Sequence, residues 1–207
     1  MEFLGNLRGV LAAGFLLSAL LAELYAALVG FDGAVFALFV LRWLHVLCGA
    51  VWIGLLWYFN VAQMPALPEL AGEKRQAITG HIAPRALFWM RWSAMGALLF
   101  GILLAWREQY LGAAMTLDVS QGLAGWPVMP KYLGIGIGMW LGIIMWFNAW
   151  FLVWPGQQKA LNVGGRFPDL GGAERVEAER VSRVFTRINL LLSIPMLFSM
   201  VAAGHLY

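Results

Sequence analysis

The sequence predicts an all-α, polytopic membrane helix bundle of about five transmembrane helices. Three observations carry that prediction. Of 207 residues, 61% are hydrophobic and 12% charged, against about 25% charged in soluble domains. The mean hydropathy is +0.74. The apolar residues fall into five runs, near 9–29, 36–62, 86–106, 131–154 and 188–206, each close to the roughly 20 residues a bilayer requires. None alternates as barrel strands do. The length suits one integral membrane domain, 1–207, with the lipid bilayer as its first partner.

The first run follows Arg8 and continues to about Val29, longer than a secretory signal core, so it reads as a first transmembrane helix. The second and fourth runs exceed the bilayer thickness and are expected to tilt or extend beyond it. Basic residues collect before the first run, in 63–85 (Lys74, Arg75, Arg85) and in 155–187 (Lys159, Arg166, Arg175, Arg180, Arg183, Arg187). By the positive-inside rule these segments are cytoplasmic, as is the N-terminus, and the C-terminus at Tyr207 is outside. A net charge of +3 distributed in this way sets topology and implies no nucleic-acid partner. The segment 69–82 reads as a short surface helix. The loop 107–130, with Trp126-Pro127-Val128-Met129-Pro130, is the longest outer connection and suits a lid or docking surface. The stretch 156–172 contains Gly164-Gly165 and Gly171-Gly172 and reads as a turn region. Opposite charges at helical spacing in 173–187 predict a cytoplasmic extension of the last helix.

The candidate chemistry centres on the second run. Arg42, His45, Gly49 and Trp52 follow at spacings of three and four and so share one helix face. A protonatable ring at intramembrane depth is costly unless its lone pair is used. His45 lies about 13 Å along the helix from the outer end. Two readings stand: a neutral histidine bonded to a neighbouring carbonyl, or an axial ligand of haem b with Gly49 and Trp52 beside the flat cofactor. Arg42 is expected to pair with Glu23 at matching depth, and can also hold a haem propionate. His205 is a candidate second axial ligand, although its depth differs from that of His45 by about 10 Å. Cys48, the single cysteine, lies three residues after His45, so a His45–Cys48 copper site with methionine ligands is an alternative.

Arg91 is expected to snorkel toward the cytoplasmic side. Asn148, Asn189 and Ser193 are expected to form helix–helix hydrogen bonds, and Pro195 to kink the last helix. Ala97, Gly101 and Ala105 in the third run, and Gly134, Gly138 and Gly142 in the fourth, form small-residue seams. These fit packing of the two helices on each other or on a second copy. No catalytic triad, P-loop or dinucleotide fingerprint occurs, so any catalysis must come from a bound cofactor.

Four stretches resemble a known family: His45-Val46-Leu47-Cys48-Gly49-Ala50-Val51-Trp52-Ile53-Gly54; Ala86-Leu87-Phe88-Trp89-Met90-Arg91-Trp92; Phe147-Asn148-Ala149-Trp150-Phe151-Leu152-Val153-Trp154-Pro155; and Asn189-Leu190-Leu191-Leu192-Ser193-Ile194-Pro195-Met196-Leu197-Phe198. They are similar to the membrane domain of bacterial membrane-bound urate hydroxylases, the urate oxidase N-terminal family. The histidine-to-Trp-x-Gly stretch also resembles membrane protoporphyrinogen oxidases and copper-resistance D proteins. The resemblance implies a multi-pass protein of the bacterial inner membrane, redox chemistry with urate as a candidate substrate, and electron transfer to c-type cytochrome. Family members carry a C-terminal cytochrome c domain. These 207 residues contain no Cys-x-x-Cys-His, so electrons are expected to leave through a separate cytochrome partner. The other expectation is an accessory or scaffold subunit without cofactor, forming a homo-oligomer or part of a larger membrane complex.

Overall fold

A computed structural model describes residues 5–119, 126–127, 129 and 130–206. It is all-α, with no strand among the described residues. Five helices are long and apolar enough to cross a membrane: α1 Leu7–Val29, α2 Gly33–Glu69, α3 Gly72–Arg107, α5 Pro130–Ala160 and α6 Gly172–His205. The short α4, Leu111–Met115, lies between α3 and α5. The chain divides into two compact units, Met1–Val40 and Leu41–Tyr207, with the boundary inside α2.

The first unit holds α1 and the start of α2. Asn6 caps α1 by accepting from the backbone N–H groups of Arg8 and Gly9 at 3.1 and 3.4 Å. Gly30, at φ 92°, ends the helix in a conformation that a side chain would strain. Asp32 then caps α2 through the Ala34 and Val35 N–H groups at 2.8 and 3.2 Å. No residue of α1 is buried, which fits an apolar helix whose solvent is lipid.

In the second unit, α2 from Leu41 onward and α3, α5 and α6 alternate in direction. The pairs Arg42–Glu108 and His45–Ala97 set α2 antiparallel to α3. Trp150–Arg91 sets α5 antiparallel to α3, Asn148–Asn189 sets α6 antiparallel to α5, and Trp57–Ser193 with Asn60–Thr186 returns α6 to α2. The core between them contains Trp52, Leu56, Phe59, Leu87, Met90 and Met145. Three helices pass through a wider π-helical turn, at Tyr58–Gln63, Ile78–Ile82 and Asn148–Val153. Such turns redirect side chains and are frequent at functional sites.

Several expectations change. The 69–82 segment is not a separate surface helix, because from Gly72 it continues directly into α3. The last helix begins at Gly172, so the charged stretch does extend it, and Pro195 lies inside it. The described part of the loop 107–130 forms α4 and is pinned. The Ala114 carbonyl abuts Gly136, and Trp140 Nε1 donates to the Met115 carbonyl at 3.0 Å. Trp126 Nε1 donates to the Leu117 carbonyl at 2.8 Å, and buried Asp118 accepts from the Met129 N–H. Residues 120–125 and Val128 of that loop, and Tyr207, lie outside the described residues.

The small-residue seams also find different partners. Gly101 faces the His45 ring on α2. Gly134 and Gly138 face Ala203 and Met200 on α6. Gly101 therefore faces α2, whereas Gly134 and Gly138 face α6.

Candidate functional site

The α2 face that carries Arg42, His45, Cys48 and Trp52 turns toward α3. At its end, the Arg42 guanidinium forms an ion pair with Glu108, just past the end of α3. Glu23 was the expected partner; it is an exposed residue of the first unit. Arg42 remains half-exposed, so the pair is only partly withdrawn from its surroundings.

One turn further along, His45 Nδ1 lies 2.8 Å from the Ala97 carbonyl oxygen. A carbonyl can only accept, so this bond places a proton on Nδ1 and leaves Nε2 outside it. The ring rests on α3 where Gly101 has no side chain: a Cβ there would come within 2.9 Å of both Cε1 and Nδ1. The next turn repeats the device, since a Cβ at Gly96 would lie 2.7 Å from the Cys48 sulfur.

Two further positions on this face lack ordinary partners. Beside Gly49, a Cβ would meet nothing within 4 Å. Trp52 is 4% exposed, and its Nε1 is buried without a hydrogen-bond acceptor. A buried indole N–H normally has a partner. Beyond Gly49, an apolar groove of about 410 Å³ opens between α2 and α3, lined by Ala50, Val51, Gly54, Leu55, Ala86 and Trp89. It holds no titratable group.

His205 stands elsewhere. Its ring is exposed, and Nδ1 lies 3.0 Å from the Val201 carbonyl one turn back in α6. That part of α6 packs on Gly134 and Gly138 of α5, whereas His45 packs on α3. Cys48 sits on the same face as His45 but its sulfur is turned onto Gly96. Among the described residues, no group of three or more His, Cys, Asp or Glu converges on a common point. His81 is exposed in the π-helical turn of α3.

The donor chemistry of the His45 face fits a haem. It offers one imidazole whose orientation is fixed through Nδ1, an open position at Gly49 and an orphan indole donor at Trp52. A backbone carbonyl on the distal nitrogen is the usual support of a histidine that ligates a metal. It fits copper less well, because the sulfur and the imidazole each face α3 through separate contacts.

A second polar region runs down α6. Ser182, Thr186, Asn189 and Ser193, spaced by four, three and four, are all buried. Asn148 Nδ2 donates to Asn189 Oδ1, and Asn189 Nδ2 donates to the Met145 carbonyl, both at 2.9 Å. Gln157 donates to Ser182 at 2.8 Å, and Trp57 Nε1 to Ser193 at 3.2 Å. Asn148, Asn189 and Ser193 were expected here. Ser182 and Thr186 were not, although their spacing continues the same stripe. Asn60 and Gln63 were also missed; the oxygens Asn60 Oδ1 and Gln63 Oε1 are buried without a donor.

Comparison with known proteins returned no matching family model, no matching curated protein and no matching solved structure.

Proposed function

We propose that this chain is an integral membrane haem-binding redox protein in which His45 would hold the haem iron through Nε2. The observation that carries the reading is the bond between His45 Nδ1 and the Ala97 carbonyl, which fixes the ring and leaves Nε2 outside that bond. Gly49 leaves room for a flat group, and Trp52 contributes an indole N–H in want of an acceptor. Arg42, half-exposed and balanced by Glu108, has further N–H donors suited to a propionate. Haem bound there supplies one-electron transfer at a potential set by its ligands and burial.

Five apolar helices place the protein in a bilayer. Its proposed setting is the bacterial inner membrane, passing electrons to a separate c-type cytochrome, and the family resemblance makes urate the first substrate to assay. The test is haem extraction and metal analysis of protein purified in mild detergent. About one haem iron per chain is expected for a single-site b-type protein. Copper in place of iron would move the assignment to a His45–Cys48 site.

The close seating of the His45 ring on Gly101 favours a second reading. There the histidine is a packing element of the α2–α3 seam, and the chain is an accessory or scaffold subunit, oligomeric or part of a larger complex. That reading predicts a colourless, metal-free protein.

A further inference from the structure

Arg91 has an arrangement that the haem reading does not use. Its guanidinium carbon lies 3.9 Å from the centre of the Trp154 ring, 4.7 Å from Trp150 and 5.9 Å from Trp92. Trp150 is locked in place, since its Nε1 donates to the Arg91 carbonyl at 3.2 Å and its ring meets Trp92 edge-on at 5.3 Å. An aromatic cage therefore holds the side chain. The aromatic faces attract the cation but accept none of its in-plane N–H bonds. Arg91 Nε is buried with no hydrogen-bond partner, and among the described residues no carboxylate pairs with the guanidinium. An arginine within an apolar helix, held rigid and without a counter-ion, is a donor edge in want of an anion.

The position indicates which anion. Arg91 is half-buried. Its flank is apolar and exposed: Trp89 is 59% exposed, Trp92 48% and Phe88 46%. Aromatic rings collect where acyl chains meet head groups. The planar fork of an arginine matches two phosphate oxygens, and an adjacent aromatic wall suits the start of an acyl chain.

We propose that the Arg91–Trp150–Trp154 cage is a binding site for the phosphate of an anionic phospholipid head group. The site rests on α3 and α5 and is independent of His45.

The experiment reconstitutes the full chain in nanodiscs of phosphatidylcholine doped with phosphatidylglycerol, and counts retained phosphatidylglycerol by native mass spectrometry. The wild type is expected to retain it selectively. Arg91→Gln should weaken retention by about tenfold or more, the scale of losing charge-assisted hydrogen bonds. Arg91→Lys, which keeps the charge but not the fork, should fall between. Trp154→Leu leaves Arg91 in place and should also weaken retention, so the test survives if Arg91→Gln fails to fold by circular dichroism and gel filtration. Equal retention by the wild type and every folded variant overturns the proposal. Titration with inorganic phosphate distinguishes the source: Arg91-dependent phosphate binding in lipid-free detergent, together with displacement of phosphatidylglycerol from the nanodisc-bound protein at millimolar phosphate, overturns the lipid assignment in favour of a soluble phosphate.

Discussion

His45 and Ala97 join α2 to α3 through one hydrogen bond, 2.8 Å from Nδ1 to the carbonyl oxygen. The bond places a proton on Nδ1, and the missing side chain at Gly101 lets the ring lie flat enough to make it. A Cβ at Gly101 would meet two ring atoms at 2.9 Å, closer than van der Waals contact allows. Gly101→Ala is therefore expected to push the ring off Ala97 and destabilise the bundle by about 1–3 kcal/mol. At Gly142 a Cβ meets nothing within 4 Å, so Gly142→Ala should be close to neutral. Thermal melts of both variants in detergent check the contrast.

The amide pair between α5 and α6 gives a second prediction. Asn189 is 2% exposed and bonds at both ends, accepting from Asn148 and donating to the Met145 carbonyl. Asn189→Ala strands a buried donor and a buried acceptor together, with an expected cost of about 1–3 kcal/mol. Interhelical bonds in membranes fall toward the low end of such ranges. Leu191, 66% exposed, is the control, and Leu191→Ala should leave the melt nearly unchanged.

The turn after α3 has a pH signature. Tyr110 stacks on Tyr132 with ring centres 5.8 Å apart. Burial first, and then the Glu108 carboxylate, push the Tyr110 phenol above its ordinary pKa. A raised phenol pKa means that the folded state favours the neutral form. This stabilisation is fully present below the unfolded value of about 10 and is lost as pH rises through the higher folded value. The melting temperature of the wild type should accordingly fall more steeply above about pH 10 than that of Tyr110→Phe, which has no proton to lose there.

The fold was legible where composition alone decides it. Five apolar runs mark five helices, because a bilayer admits little else. Helix ends were less legible. The Gly72–Ala77 turn, in the sequence Gly-Glu-Lys-Arg-Gln-Ala, looks like a surface segment because nothing apolar marks it as the start of α3. Partners were the least legible. Matching depth suggested Glu23 for Arg42, but depth cannot tell one neighbouring helix from another, and Glu108 stands at the same end on α3. The small-residue stripes were visible as stripes, while the rings and chains that fill them, His45 on Gly101 and Met200 on Gly138, depend on which helices are adjacent. The tryptophans of the Arg91 cage were readable in part: Trp150 and Trp154 are one helical turn apart, so they share a face. What that face holds required the position of α3.

The most direct test of the haem assignment is the absorption spectrum of the purified protein beside that of its His45→Ala and Cys48→Ser variants. The account predicts a Soret band in the wild type, retained in Cys48→Ser and lost or strongly shifted in a folded His45→Ala. A Soret band undiminished in His45→Ala, or a colourless wild type purified with haem supplied during expression, would contradict it.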